Sequence, residues 1–547
     1  MLKRIFRFLR SKTNKKTSDN ESARQARLTQ TFQETETLSL NLDKNRKAIR
    51  RIFDHCDDLI IHDFVIRVGQ QSTRALIAYF DSLTSQELLE RSLLRALTNI
   101  TPKHHPSNTI DWLMQEVIPS GKIKKQNKWV EITDWISQGS VGLFVDGQDQ
   151  VLLIDLFEDN SRPIGPPTVE VVIKGPAEGF NEDLRTNMGL LRKRLPTSRL
   201  AVDSLKVGVV TKTTVNLVYL KGYANPKLIE EIYARVQRID IDGIISTNKI
   251  TEFIQDSPYS FFSTIEATER PDRIVGHLLE GGAALIIDGT PFAMMLPTTM
   301  ANQLQSPDDY YNHYWFASFI RLFRWMGLFV ALLAPSVYIA VSTFHQELLP
   351  TPLLITVLAA REGVPFPAFI EALLMELTFE LLREAGIRLP RAFGQTISIV
   401  GAIVIGQAAV AAGLVSSTMV VIVALTAIGS YTLPSVSLVN SIRLLRFLFM
   451  IAAAFLGMFG VMAAFSMLLF YLCSLRSFGV PYLSPLAPLI LADLKDTLIR
   501  APAWAMLFRP RLIGYIDRQR QNPGQKPGPP AAPNVRRSQR KGGKGNC

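Results

Sequence analysis

Two hydrophobic patterns divide the chain near Arg324. Before that point, runs alternating apolar and polar at period two are followed by stretches with apolar positions three and four apart. These are the signatures of half-buried strands and amphipathic helices, so this half reads as α/β. From Trp325 to Leu475 charge nearly disappears and the pattern becomes that of a helical membrane domain.

The α/β half repeats itself. VGQQSTRALIAYFDSLTSQELLERSLLRAL from Val68 parallels VGVVTKTTVNLVYLKGYANPKLIEEIYARV from Val207, each a strand, a turn and a helix. Tyr79 aligns with Tyr219, an offset of 219 − 79 = 140. GLFVDGQDQVLLID from Gly142 parallels GGAALIIDGTPFAMMLP from Gly281, both hairpins closed on Asp-Gly, and Asp146 aligns with Asp288 at 288 − 146 = 142. Two similar offsets in one order predict two tandem α/β subdomains of one ancestral fold. A Pro/Gly-rich loop, Arg162 to Asn187, links them; its GPAEGF lacks the Gly-Lys-Ser/Thr of a phosphate loop.

In the second half, Trp325 to Phe344 gives 20 uncharged residues, enough for a helix to cross a bilayer. Ala392 to Ile442 gives 51, read as two spans broken near Leu414 to Thr418, and Phe447 to Leu475 gives 29. Gly401 to Gly413, with Gly457 and Gly460, forms small-residue surfaces for close helix packing. Leu348 to Ala360, with Pro350 and Pro352, is too short to span and reads as re-entrant.

Between these blocks, Val364 to Gly386 reads as a helix opened by Pro365 and Pro367. Glu376, Glu380, Arg383 and Glu384 share one face, Leu374, Leu377 and Leu381 another, and Glu371 stands nearer the apolar side. Two readings stay open: a cation-attracting vestibule, or an amphipathic helix at the interface with solvated charges.

The net charge of +12 sits mostly at the ends of the chain, which suits anionic lipid better than nucleic acid. The leader MLKRIFRFLRSKTNKK, interrupted by Arg7 and Arg10, reads as a surface-lying or flexible basic segment rather than a signal peptide. The tail from Asp517 holds eight Lys/Arg against one Asp and is expected to be disordered. Arg321 and Arg324 before the first span, and the basic tail after the last, predict four spans with both ends cytosolic. Five spans would instead explain Arg443 and Arg446.

Cys56, Cys473 and Cys547 form no framework. His104 and His105 sit in a Pro-flanked loop, and the seven histidines show no metal spacing. Without a nucleophile elbow or zinc motif the chain reads as no enzyme, with no cofactor and no metal.

From Arg162 to about Pro488 the chain resembles the A subunit of bacterial spore nutrient-germinant receptors, the GerA family. The stretches that carry this are GPAEGFNEDLRTNMGLLRKRL, VGVVTKTTV, IDIDGII, TERPDRIV with LLEGGAALIIDGTPFAMMLP, DDYY, REGVPFPAFIEALLMELTFELLREAGIRLP, GQTISIVGAIVIGQAAVAAGLVS and SFGVPYLSP. The resemblance implies two cytosolic subdomains on a membrane domain in the spore inner membrane. It implies a homo-oligomer working with a transporter-like B subunit and a lipoprotein C subunit, and passing monovalent cations when nutrient is sensed. On that basis Glu371, Glu376 and Glu380, with Val364 opening their helix, are expected to line or guard a pore. Asp272, Arg273 and Glu280 are expected to dock the second subdomain on the membrane domain. Other readings are a germination-amplifying paralogue without a nutrient partner, a secondary transporter, or a scaffold.

The expected layout is therefore a leader (1–45), two α/β subdomains (46–160 and 161–310), a transmembrane domain (311–492) and a basic tail (493–547).

Overall fold

The computed structural model describes residues 37–68, 71–98, 109–118, 122–157, 165–167, 169–388, 406–514 and 517–528. The leader to residue 36, His104 and His105, Arg162, the stretch Ala392 to Ile405 and the tail beyond Gly528 lie outside them.

The first repeat runs α1 (Leu42–Ile52), β1 (Leu59–Val68), β2 (Gln71–Phe80), short helical segments, β3 (Ile123–Gln126), α2 (Trp129–Ser137), β4 (Val141–Val145) and β5 (Val151–Ile154). The second runs α3 (Leu184–Arg194), β6 (Leu200–Val207), β7 (Thr213–Leu220), α4 (Pro226–Gln237), α5 (Thr247–Ile254), β8 (Glu266–Thr268), α6 (Pro271–Leu279), β9 (Ala283–Ile287) and β10 (Ala293–Leu296). The antiparallel sheets have one topology, β1-β2-β4-β5-β3 and β6-β7-β9-β10-β8. Tyr79 on β2 and Tyr219 on β7 thus occupy equivalent strands, and Asp146-Gly147 and Asp288-Gly289 close equivalent hairpins. Both glycines have φ near 80°, the left-handed turn geometry that favours glycine.

The repeat extends to a detail the periodicity did not reveal. The Ser39 N–H donates to Asn45 Oδ1 at 2.9 Å and Asn45 Nδ2 donates to the Ser39 carbonyl at 2.6 Å. Asn181 and Asn187 repeat this clasp at 2.9 and 2.7 Å, 187 − 45 = 142 positions later. Each clasp fixes the start of the helix before its sheet. Leu38 and Leu42 are buried in the first core, so that unit begins before residue 46.

The two units are bound together. Arg192 of α3, almost fully buried, pairs with Asp58 at 2.5 and 2.6 Å and lies 3.7 Å above the Phe80 ring. Backbone bonds join His55 and Asp57 to Val202 of β6.

After the second sheet come α7 (Met300–Leu304), α8 (Asp308–Tyr311), α9 (Tyr314–Thr343), α10 (Thr351–Arg361), α11 (Ala368–Arg388), α12 (Gly406–Ala411), α13 (Ser417–Tyr431) and α14 (Val436–Ser474). α9 begins ahead of the uncharged run, so Arg321 and Arg324 lie inside it rather than flanking it. Likewise Arg443 and Arg446 lie inside α14 and do not separate two apolar blocks. α11 starts after Pro365 and Pro367 and continues to Arg388.

α14 is a hairpin of two helices. A straight helix of 39 residues would extend about 58 Å. Instead its two ends bond to residues two positions apart: Ser435 Oγ donates to Glu266 Oε2 at 3.0 Å, and Ser477 Oγ donates to the Thr264 carbonyl at 2.7 Å. The reversal is at Gly457, with φ 60° and ψ −141°, a region open to glycine. A Cβ on Gly460 would overlap the Ala452 carbonyl across the bend.

The path through the bundle follows from these contacts. α9 leaves the sheets and ends at Phe344, against Gly457 at the hairpin tip. α13 returns, crossing α9 where Gly327 and Gly429 let the backbones touch; a Cβ on Gly327 would lie 3.0 Å from the Gly429 carbonyl. The first arm of α14 leaves again and the second comes back to β11 (Arg476–Ser477) and β12 (Val480–Pro481). The core contains α9, α11, α13 and α14, and takes in Phe262, Met300, Leu304 and Tyr482 from the sheet side.

The segment expected as a loose tail from residue 493 is held against the rest of the chain as far as Gln521, while Pro523 to Gly528 are exposed. Asp496 accepts from Tyr310 and Arg321, Arg509 donates to the Leu279 carbonyl at 2.7 Å, and Arg520 pairs with Glu280. Its order comes with polar pairing: Asp496 meets the buried Arg321 of α9, Arg509 the Leu279 carbonyl of α6, and Arg520 the half-buried Glu280 that follows α6.

Candidate functional site

Two linked polar clusters stand where the sheets meet the helices and inside the helical bundle. The first centres on Glu266 of β8, which is 2% exposed. Its carboxylate accepts from Ser435 at the start of α14 and lies 3.7 Å from Arg273 of α6, which also pairs with Glu170 at 2.7 Å. Burial pushes the Glu266 carboxyl up to about 7, against the opposing pull of Arg273 and the Ser435 hydroxyl. Nearby, the Tyr482 hydroxyl donates to Gln303 at 2.6 Å and Gln303 donates to the Ser263 carbonyl. The second sheet and both feet of the α14 hairpin thus share one buried network.

Beside it, Asp309 of α8 takes Arg321 at 2.8 Å and Arg324 at 2.7 Å, and Arg321 continues to Asp496 of the strap at 2.9 Å. These arginines anchor the base of α9 by burial and pairing.

The second cluster runs along α11. Glu376, fully buried, pairs with Arg446 at 2.6 Å, and Arg446 Nε donates to the Ala331 carbonyl of α9 at 2.8 Å. One turn on, Glu380 accepts from Arg443 Nε at 2.8 Å. The two rungs cross-link α11 to the first arm of α14. Glu371, also fully buried, accepts from the Ser416 backbone N–H at 2.5 Å and from its hydroxyl, with Arg361 at 3.8 Å. Glu376 Oε1, Arg446 Nη2 and Glu371 Oε2 accept or donate no hydrogen bond among the described residues. Leu374, Leu377 and Leu381 point outward and are exposed. From Glu371 to Glu380 the polarity of α11 is therefore inverted relative to a helix with solvated charges: these carboxylates face protein and the leucines face out, while Glu384 and Arg388 near its end are exposed.

The sequence of residues 47–512 matches the profile of the family described as Bacillus/Clostridium GerA spore germination protein. The chain belongs to the GerA family of spore germination proteins. Spore germination protein KA of Bacillus subtilis (strain 168) is 40% identical over 496 residues, covering 90% of this chain and 91% of that protein. The uncharacterized membrane protein YfkQ of the same organism is 41% identical, covering 86% and 91%. Among solved structures, the N-terminal domain of the A subunit of the Bacillus megaterium spore germinant receptor GerK3 is 28% identical. It covers 48% of this chain and 96% of that one, with a TM-score of 0.38.

In this GerA-family chain the expected docking residues separate. Asp272 is held by Arg270 and accepts from the Tyr311 hydroxyl of α8 at 2.6 Å; Arg273 bonds the Asn302 carbonyl of α7 as well as Glu170. Glu280 instead meets the strap through Arg520. Val364 is half-buried ahead of α11 and bonds back to the Arg361 carbonyl. Glu266, Ser435 and Asp309 were not singled out by sequence, and Arg446 was read only as a topological signal. The nearest signal was the pair Arg443 and Arg446, spaced to meet Glu380 and Glu376 across antiparallel helices.

Proposed function

We propose that this GerA-family chain is a membrane subunit of a spore germinant receptor, which assembles with copies of itself and passes monovalent cations when nutrient is sensed, triggering germination. The observation that carries the membrane part is the inverted polarity of the bundle. Glu371, Glu376 and Arg446 are sealed inside while Phe455, Phe459, Met467 and Phe470 stand outward and exposed. Water penalises that arrangement; hydrocarbon favours it.

Two helices, α9 and α14, are long and apolar enough to cross a membrane. On this reading α9, α13 and the two arms of α14 make four passes, with α10 as a re-entrant element on the far side and α11 running back from Glu371, at the start of α13, toward the foot of arm one, where Glu380 meets Arg443. Both sheets and the strap then lie together on the cytosolic face of the spore inner membrane. Burying Arg443 and Arg446 in ion pairs removes the topological conflict they raise, since paired arginines inside the bundle carry no orientation signal. The soluble units are coupled to the hairpin through Arg273, Glu266 and Ser435, and to α8, which precedes α9, through Asp272 and Tyr311. B-type and C-type receptor subunits are the partners this role calls for.

Within the protomer, arginines neutralise the α11 carboxylates, so Glu371, Glu376 and Glu380 would line or guard a cation path only where copies of the chain meet and these pairs open. The test is potassium conductance of the full chain reconstituted with its receptor partners, compared with Glu371→Gln, Glu376→Gln and Glu380→Gln. Loss of rate or cation preference supports the reading. Wild-type flux and selectivity in all three variants returns α11 to a purely structural element.

A further inference from the structure

Where arm two of α14 meets the second sheet unit, a cavity of about 570 Å³ opens, lined by Asn225, Lys227, Arg235, Asp256, Ser474 and Arg476 among others. That is within the size range of small-molecule sites, roughly 300–1,000 Å³. One wall is rigid. Arg235 is clamped by Glu231 at 2.8 Å and Asp256 at 2.6 Å, and lies 4.6 Å above the Phe478 ring, while the Phe478 N–H donates to Asp256. Both lining carboxylates are thereby committed to one cation. Lys227 and Arg476 have no ion-pair partner among the described residues, and with three cations against two carboxylates the lining carries a net charge of +1.

The surroundings fix the level of this cavity. Above it on arm two, Met467 and Phe470 are about three-quarters exposed, in the band that faces hydrocarbon on the reading above. Beside it, the segment after Asp256 and Ser257 presents Tyr259, 97% exposed, and Phe261, 51% exposed. The Phe261 carbonyl accepts from Ser441 on arm one, so these aromatics stand at the foot of the hairpin. Exposed aromatics at the end of an apolar band are the side chains that settle at headgroup level. A cationic cavity there meets phosphate, with acyl chains able to lie along Met467 and Phe470.

We propose that this cavity binds the phosphate headgroup of an anionic phospholipid, with Lys227 and Arg476 as its direct cationic contacts and Tyr259 and Phe261 as flanking anchors. The site is separate from any lipid attraction of the basic tail. It rests on the membrane reading, and bilayer extraction of the wild-type chain tests that reading independently. If the chain washes off with alkaline carbonate, the membrane assignment fails, whatever the cavity binds.

The experiment uses full-length protein in detergent, with thermal unfolding followed during titration of phosphatidylglycerol, phosphatidylcholine or soluble glycerol phosphate. Wild type is expected to be stabilised by phosphatidylglycerol and not by phosphatidylcholine. A Lys227→Gln/Arg476→Gln variant keeps its lipid-free midpoint but needs about tenfold or more phosphatidylglycerol for the same rise. The charge-matched Lys206→Gln/Lys212→Gln control, on exposed residues elsewhere on the second sheet unit, behaves as wild type. An unchanged titration in the Lys227/Arg476 variant, equal loss in the control, or an equal response to phosphatidylcholine overturns the site. Full stabilisation by glycerol phosphate alone overturns the lipid as its source.

Discussion

Glu376 and Arg446 meet 2.6 Å apart inside the helical bundle, and neither side chain reaches the surface. Charges withdrawn this far from solvent are tolerable only as a pair, and the Ala331 carbonyl shares the arginine. Removing one partner leaves an uncompensated buried charge. Arg446→Ala is expected to destabilise the full chain by about 3–5 kcal/mol. The double variant Glu376→Leu/Arg446→Leu is expected to recover most of that. Thermal unfolding in detergent measures both, and a double variant no better than the single one contradicts the pairing.

The hairpin in α14 depends on Gly457. Its φ of 60° with ψ −141° is costly for any side chain, and a Cβ there would press on Phe344 at 3.0 Å. Gly457→Ala should cost about 1–3 kcal/mol and loosen the tip, where α9 ends. Stability equal to wild type would mean that α14 does not reverse at this residue.

Glu266 makes stability depend on pH. Its carboxyl is at about 7 when folded against 4.5 as the ordinary value, so the folded chain holds the proton more tightly. The stability from this group is fully present below 4.5 and is lost as pH rises through about 7. Unfolding midpoints should fall over that window, and Glu266→Gln should flatten the slope. A slope that persists in the Gln variant assigns it to another group.

The two asparagine clasps should behave as equivalents. Asn45→Ala and Asn187→Ala each strand a backbone N–H and carbonyl that the amide satisfies, at about 1–3 kcal/mol. Comparable losses in the two variants, read by thermal unfolding, are expected; a large loss in one alone would mean that the halves are not mechanically alike.

The sequence alone determined what depends on local order. Period-two runs and the 140 and 142 offsets located two equivalent sheets, because strand alternation and Asp-Gly turns are written into neighbouring residues. Uncharged length marked α9 and α14, and prolines marked the start of α11. Only the tertiary structure decided what each charge does. Arg321 and Arg324, which read as topological flanks, are buried on Asp309; Arg443 and Arg446, which read as a conflict, close on Glu380 and Glu376. Residues 493–514 and 517–522, which read as tail, form a strap held by polar pairs. The physical reason is the same throughout. Hydrophobic periodicity is a short-range property of the chain, whereas the partner of a buried charge is chosen across long sequence separations, 70 residues for Arg446 and 175 for the Arg321–Asp496 pair, once the helices have packed.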